Sequence, residues 1–208
     1  MSTELPTPTI ELVTSVAARF DRQYSIIEQS LGELFSRYHE NTSLTHVLWK
    51  VALLNPLYQL HIRPYSPKFP DILDVANHIH KNAQEIDSAL ALGLPDIVNR
   101  IASVVVSLGK RPFYHYSFAS KYCSWHNLNA YPIYDIHVDN YLWSLKGQGR
   151  FTDAAFLFRE SLKDYPTFFR IMTAFRKYFG LESLSFKEID KFLYLDGGEL
   201  PVEEPSEL

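Results

Sequence analysis

The chain has a single cysteine, Cys123, among its 208 residues. An intramolecular disulfide is therefore excluded, and this cysteine usage is typical of a reducing compartment. No apolar run approaches the roughly 18 residues that a membrane-spanning helix needs, and the N-terminus lacks the basic and then apolar pattern of a secretory signal. The sequence predicts a cytoplasmic protein without a membrane partner.

Positive charge is also scarce. The formal net charge is −4, which argues against a protein that coats nucleic acid through clustered lysine and arginine. Residues 196–208 contain five acidic side chains and no basic one. Without those five charges the remaining residues change from −4 to about +1, a value that leaves DNA binding open. We expect residues 1–195 to form one domain and residues 196–208 to be a flexible acidic tail.

Glycine and β-branched runs are rare as well. The 8 glycines and a hydrophobic fraction of 46% indicate a compact fold, since disordered chains are less apolar. The one β-branched run, Val104–Val106, ends a helical pattern, so the sequence predicts an all-α protein. Helices are predicted at about residues 9–38 (one helix or two in series), 43–58, 71–82, 95–108, 136–145, 152–162, 167–179 and 186–195, with a shorter one ending near Leu92.

A lysine lies inside the aromatic segment 117–127. Ala119, Tyr122, Cys123 and His126 recur at helical spacing, which predicts a helix with one buried face and a cap at Ser117. Lys121 lies beside that face. An amine in an apolar pocket loses hydration, which lowers its pKa and makes it a usable nucleophile.

An aspartate begins the next predicted helix. Asp135 follows Pro132 and stands at the N-cap, where its carboxylate can accept backbone N–H bonds and meet the positive end of the helix dipole. A carboxylate near a lysine would stabilise cationic species. Two chemistries fit such a pair, namely attack of the lysine on a sugar C1′ and Schiff-base chemistry on a carbonyl substrate. The ordinary interpretations are a simple cap and a lysine that extends its ammonium to water.

The segment from Ser120-Lys121 through Pro132-Ile133-Tyr134-Asp135-Ile136-His137-Val138 resembles the catalytic region of the helix-hairpin-helix DNA glycosylases. The resemblance is to the 8-oxoguanine glycosylase branch and its shorter bacterial relatives. It implies a two-lobed, all-α fold and excision of 8-oxoguanine or another modified base from double-stranded DNA. Lys121 would attack C1′, Asp135 would assist base departure, and AP-lyase cleavage could follow. The resemblance implies no metal or organic cofactor, and we expect a monomer.

A second segment, Leu48 to Tyr58, is similar to the helix in which these glycosylases have an asparagine close to the extruded nucleotide. That residue would be Asn55. The family usually has a glycine-rich hairpin before its lysine, which residues 110–118 lack, so DNA phosphate would be held by Lys110 and Arg111 instead. The other residues predicted to contact the substrate are Tyr58, Trp125, His126, Tyr134 and His137.

Other functions stay open at this point. The eight histidines lack the spacings typical of zinc ligands, so no metal site is predicted. A non-catalytic helical module for DNA sensing or protein interaction could keep the fold without the chemistry, although it would need neither Lys121 nor Asp135. A carbonyl enzyme that uses the lysine is a third possibility. The modified base, and whether the role is genome repair or defence against phage DNA, are not determined by the sequence.

Overall fold

The structure of the protein is a computed structural model that describes residues 5–104, 110 and 113–198. These residues form nine α-helices and one 3-10 helix, and the only β-pairing among them is an isolated antiparallel bridge between Ser103 and Tyr114. The prediction of an all-α protein is confirmed. The helices are α1 (Ile10–Arg37), α2 (Leu44–Leu57), α3 (Ile72–Lys81), α4 (Ala83–Leu92), α5 (Asp96–Ala102), α6 (Tyr116–His126), α7 (Ile136–Gly147), η1 (Arg159–Lys163), α8 (Tyr165–Tyr178) and α9 (Phe186–Gly198).

The chain divides into two compact units. The first, which we call the central unit, is residues 25–131, and the second, the terminal unit, combines the residues up to Tyr24 with those from Pro132 onward. The boundary within α1 coincides with a kink at Tyr24, whose φ of −119° and ψ of 15° are not helical. The predicted alternative of two helices in series therefore describes α1 well.

Short polar side chains begin several helices, as predicted. The Ser43 hydroxyl accepts a backbone N–H at the start of α2. Asp71 and Asp74 form a capping box at the start of α3. Ser185 begins α9, where the Glu188 N–H donates to its hydroxyl. These caps provide acceptors for N–H groups that have no partner within the helix. The α9 backbone continues to Gly198, so the first three residues of the predicted tail are helical, and the others lie outside the described residues.

Two predicted helices differ from the structure. Residues 152–162 contain a turn and then η1, because the Asp153 side chain accepts the Ala155 N–H at 2.8 Å and the Asp153 carbonyl accepts the Phe156 N–H at 2.9 Å. Such a turn competes with helix formation. The helix predicted up to residue 108 ends at Ala102, whose carbonyl accepts the His115 N–H at 3.0 Å. Residues 105–109 lie outside the described residues.

The terminal unit contains an aromatic core that holds the segment before α7. Tyr141 of α7 packs edge to face on Phe192 of α9, with ring centroids 5.5 Å apart. The Tyr165 hydroxyl donates to the Pro132 carbonyl at 2.8 Å. The residues leading into Asp135 are thereby fixed on the core of their own unit.

The central unit contains a fully buried lysine. Lys50 lies on α2 and is 0% exposed. Its Nζ donates to the carbonyl oxygens of Tyr38 at 3.0 Å and Glu40 at 3.2 Å, and to Oδ1 of Asn41 at 2.6 Å. An ammonium group has three N–H donors, so these three oxygens can satisfy it. Lys50 thus ties α2 to the segment that follows α1.

Replacing Lys50 by methionine is expected to lower the free energy of unfolding by about 3 kcal/mol near pH 7, because the buried oxygens lose their donor. Burial lowers the pKa of Lys50 from 10.5 to about 8, against the attraction of Asp87. Between these two values the unfolded chain holds a proton that the folded chain has lost. The stability of the wild type should therefore rise with pH, relative to Lys50→Met, by at most about 1.4 kcal/mol per pH unit.

Urea unfolding of both proteins from about pH 7 to about pH 10 measures the difference in their free energies of unfolding. The part of this difference that changes with pH comes from the buried charge of Lys50. A difference that stays constant over the whole range would show that Lys50 titrates as it does in the unfolded chain.

Candidate functional site

Lys121 lies in the middle of α6, a helix that is buried almost all round. Nine of its eleven side chains are buried, and Lys121 itself is 2% exposed. The sequence predicted one buried face, so the burial is more extensive than expected. The N-cap is His115 and not Ser117, which lies in the first turn of the helix.

The Lys121 amine contacts a hydroxyl and an aromatic ring. Nζ donates to Oγ of Ser117 at 2.8 Å, one turn earlier on α6. It also lies 5.4 Å from the centroid of the Tyr58 ring, a distance at which a cation is attracted to a π face. Nε1 of Trp125 donates to the Tyr58 hydroxyl at 3.0 Å. Three residues of the predicted site, namely Lys121, Tyr58 and Trp125, are therefore brought together.

Asn55 precedes Tyr58 on α2, and its amide pairs with backbone. Nδ2 donates to the carbonyl of Ile62 at 2.7 Å, and Oδ1 accepts the N–H of the same residue at 2.9 Å. The amide thus fixes the chain that follows α2. A contact of Asn55 with an extruded nucleotide stays a prediction.

His126, at the end of α6, belongs to the polar cluster around Lys50. Its Nε2 lies 3.3 Å from Nζ of Lys50. Burial and the neighbouring Lys50 charge lower the pKa of His126 well below its ordinary value, so the ring is neutral near pH 7 and Nε2 is a fourth acceptor that shares the three N–H donors of Lys50 with the oxygens. Lys50 was not among the predicted site residues, although a lysine between Val47, Val51 and Leu54 was a visible signal.

Asp135 is the N-cap of α7, as predicted. Its backbone is extended, with φ −150° and ψ 178°. Oδ1 accepts the N–H groups of His137 and Val138, both at 3.0 Å. The carboxylate is held in place by the first turn of α7. A role of Asp135 in base departure stays a prediction.

Tyr134 and His137 contact other residues of the terminal unit. The Tyr134 hydroxyl donates to Oδ2 of Asp139 at 2.9 Å, and burial together with the Asp139 charge raises the pKa of Tyr134 well above its ordinary value. The His137 ring packs edge to face on Tyr194, with centroids 5.1 Å apart. Their contacts with a substrate stay predictions.

Lys110, one of the two predicted phosphate contacts, pairs with the carboxylates that begin α3. Nζ lies 3.1 Å from Oδ2 of Asp71 and also contacts Oδ2 of Asp74. The hydrogen bond to Asp74 is the main cause of a raised pKa of Lys110, with a further contribution from Asp71. A phosphate would have to compete with both carboxylates for this ammonium group. Arg111, the other predicted contact, lies outside the described residues.

The described residues contain neither a metal cluster nor a helix suited to a membrane. Within the described ranges, no group of three or more histidine, cysteine, aspartate or glutamate side chains is placed to hold a metal ion. None of the helices in the part of the chain that the structure describes is long and apolar enough to cross a membrane.

The chain is similar to known sequences, and no solved structure matches it. A protein of Haemophilus influenzae, described as an uncharacterized protein, is 35% identical over 172 residues, which cover 82% of this chain and 76% of that protein. The HI_0787_N family, described as an N-terminal domain, matches residues 10–131. This match ends at the residue that also ends the central unit. The match covers more than half of the chain, which therefore belongs to the HI_0787_N family.

Proposed function

We propose that the protein is a DNA N-glycosylase that excises 8-oxoguanine or another modified base from double-stranded DNA, with a helix-hairpin-helix glycosylase-like fold. The observation that carries the proposal is the setting of Lys121, which is 2% exposed and has its amine between a hydroxyl and a tyrosine ring. An amine withdrawn from water is a better nucleophile near neutral pH than one in solvent.

In the proposed reaction, Nζ of Lys121 attacks C1′ as the neutral amine. The bond between C1′ and the base nitrogen breaks, and the base leaves with the bonding electrons and takes up a proton. The attacking nitrogen loses a proton, the C1′–O4′ bond breaks, and O4′ leaves with the bonding electrons and takes up a proton, which gives a protonated Schiff base between Nζ and C1′. Subsequent β-elimination would cleave the strand. Oγ of Ser117, 2.8 Å from Nζ, orients the amine for attack.

The aromatic neighbours of Lys121 support an extruded base as substrate. Tyr58 and Trp125 are joined by a hydrogen bond of 3.0 Å, which fixes the orientation of both rings. Enzymes that act on a base commonly receive it in a pocket with aromatic walls. Rings that are already oriented lose little entropy when a base stacks on them.

Asp135 has the second role in the proposal. Its carboxylate would stabilise the positive charge that develops on the sugar as the base leaves. Two backbone N–H bonds hold Oδ1, so the carboxylate is fixed on the first turn of α7 within its own unit.

A non-catalytic helical module for DNA sensing or protein interaction is the second candidate. Two observations favour it. The Lys110 ammonium group is paired with Asp71 and Asp74, and the Asn55 amide is paired with Ile62. Both side chains were predicted to contact DNA, and both have intramolecular partners that compete with such a contact, which within this candidate favours protein interaction over DNA sensing. Such a module would bind DNA or a protein and release no base.

A borohydride trap tests the nucleophile. The protein is incubated with duplexes that contain 8-oxoguanine, an abasic site or only normal bases, and then reduced. We expect a covalent band with the modified duplex, and we expect Lys121→Gln to abolish it and to slow base release by about a thousandfold or more, as loss of a nucleophile usually does.

The matched control is Lys187→Gln, which removes another buried lysine, 7% exposed, and should keep the band. Circular dichroism and thermal unfolding establish that both variants are folded. Full base release by folded Lys121→Gln would refute the assignment of the nucleophile, and no band from the folded wild type on any modified duplex would favour the non-catalytic module.

Replacing Asp135 by asparagine tests its charge separately from its cap. Asparagine caps a helix about as well as aspartate, so the free energy of unfolding should change by less than about 0.5 kcal/mol. The single-turnover rate of base release should fall by about 100-fold, because the charge that stabilises the sugar cation is lost. Asp135→Ser also keeps a capping oxygen and also lacks the charge, so it should show the same stability and the same loss of rate as Asp135→Asn. A wild-type rate in both variants would show that Asp135 is only a cap.

A further inference from the structure

The loop between α2 and α3, residues 59–70, is basic and exposes an aromatic ring. It contains His61, Arg63 and Lys68 and no acidic residue. Tyr65 in this loop is 90% exposed. A tyrosine side chain usually buries most of its ring, so one so exposed contributes little to the core.

The base of this α2–α3 loop is fixed by hydrogen bonds. The Asn55 amide holds Ile62 on both backbone groups. The Ile72 N–H donates to the Arg63 carbonyl at 3.0 Å. Ser66 is 7% exposed and its hydroxyl accepts two backbone N–H groups further along the loop. Prolines at positions 64, 67 and 70 restrict the backbone further.

Two residues near the start of the loop have a strained backbone. Gln59 has φ 50° and His61 has φ 58°. For residues other than glycine the left-handed region costs on the order of 1 kcal/mol each and persists only where the surroundings impose it. Strain of this kind is concentrated at binding and active sites. The loop therefore has an imposed shape and would lose little entropy on binding.

We propose that the α2–α3 loop binds an unpaired stretch of a DNA strand, with the Tyr65 ring stacked on a base and Arg63 and Lys68 against the neighbouring phosphates. The choice of DNA as the partner rests on the proposed function. Cationic side chains attract phosphate, and an exposed aromatic ring stacks on bases of any sequence, which is the usual combination in single-strand binding. An acidic peptide would match the cations but not the ring.

The position of the loop along the chain supports this partner. The loop begins directly after Tyr58, whose ring lies against Lys121. Extrusion of a base from a duplex leaves its partner strand locally unpaired. A stacking ring close in sequence to a side chain of the proposed site could hold such an unpaired base.

The test compares two fluorescently labelled strands of about 12 nucleotides, a length within the range of known single-strand sites. One is ordinary single-stranded DNA, and the other has tetrahydrofuran abasic units throughout, with the same phosphates and no bases. Polarisation gives the affinity of each for the full-length protein. We expect Tyr65→Ala to weaken binding of the ordinary strand about tenfold and to leave binding of the abasic strand unchanged. Tyr65→Phe keeps the ring and should bind as the wild type does.

The cations are tested by salt dependence. The double variant Arg63→Ala, Lys68→Ala should weaken binding of both strands. It should also make the plot of log affinity against log salt concentration less steep by about 1.4. This value is about 0.7 for each of the two single-strand phosphates that the protein no longer neutralises. Lys81→Ala removes one charge from an exposed side chain at the end of α3 and should leave the slope unchanged. A slope that the double variant does not change would overturn the phosphate contacts.

Three results would overturn the base-stacking contact. They are an unchanged affinity of Tyr65→Ala for the ordinary strand, an equal loss on both strands, and displacement of the ordinary strand by polyglutamate as readily as by unlabelled DNA of equal charge. The borohydride trap keeps this inference apart from the proposed function. If Tyr65→Ala weakens binding of the ordinary strand only, and the wild type gives no covalent band in the borohydride trap, then the loop binds DNA and the glycosylase proposal is rejected. If the wild type gives a covalent band and Tyr65→Ala binds both strands as the wild type does, then the glycosylase proposal is supported and the loop proposal is rejected.

Discussion

The buried ammonium group of Lys50 is the interaction on which the central unit depends. It holds Asn41, whose amide and backbone N–H also bind the two carboxylate oxygens of Asp87 on α4, with Nδ2 to Oδ1 at 2.6 Å and N to Oδ2 at 3.0 Å. The Tyr122 hydroxyl of α6 donates to the same Asn41 oxygen. Helices α2, α4 and α6 are therefore joined around one asparagine. A buried polar network of this kind is stabilising only when complete, because each unpaired member costs more than an apolar side chain would.

The central unit contains two buried lysines in different surroundings. Lys50 donates to three oxygens, which favour its ammonium form and engage its N–H groups. The contacts of Lys121 include a hydroxyl and the face of Tyr58. A hydroxyl can also donate, and a π face binds a cation without a directed lone pair. Three donated N–H bonds to buried oxygens commit Lys50 to a structural role, and the proposal assigns the reaction to Lys121, whose amine lies over the ring of Tyr58.

The sequence predicted what depends on neighbouring residues and missed what depends on distant ones. Ser43, Asp71 and Asp135 were identified as helix starts because a cap acts within three residues of itself. The partners of Lys50 include backbone carbonyls, which every residue has and which leave no mark in a sequence. Residues 152–162 were predicted to be helical, yet Phe156 is buried against Phe151, five residues earlier in the chain, with ring centroids 6.4 Å apart. A helix places residues five apart on different faces, so tertiary packing prevailed over the local pattern.

The family match and the central unit end at the same residue, which separates the residues of the proposed activity into two groups. The matched segment, residues 10–131, contains Lys121, its aromatic neighbours and the α2–α3 loop, whereas Asp135 follows it. Tyr58 both contacts the lysine and begins the loop, and Asn55, one turn earlier, fixes Ile62 in that loop. The C-terminal end of α2 would thus position both the proposed strand-binding loop and the proposed nucleophile. Because α2 is anchored by Lys50 in its middle, the proposed strand-binding loop and the Tyr58 ring both adjoin a helix whose position depends on that buried ammonium group.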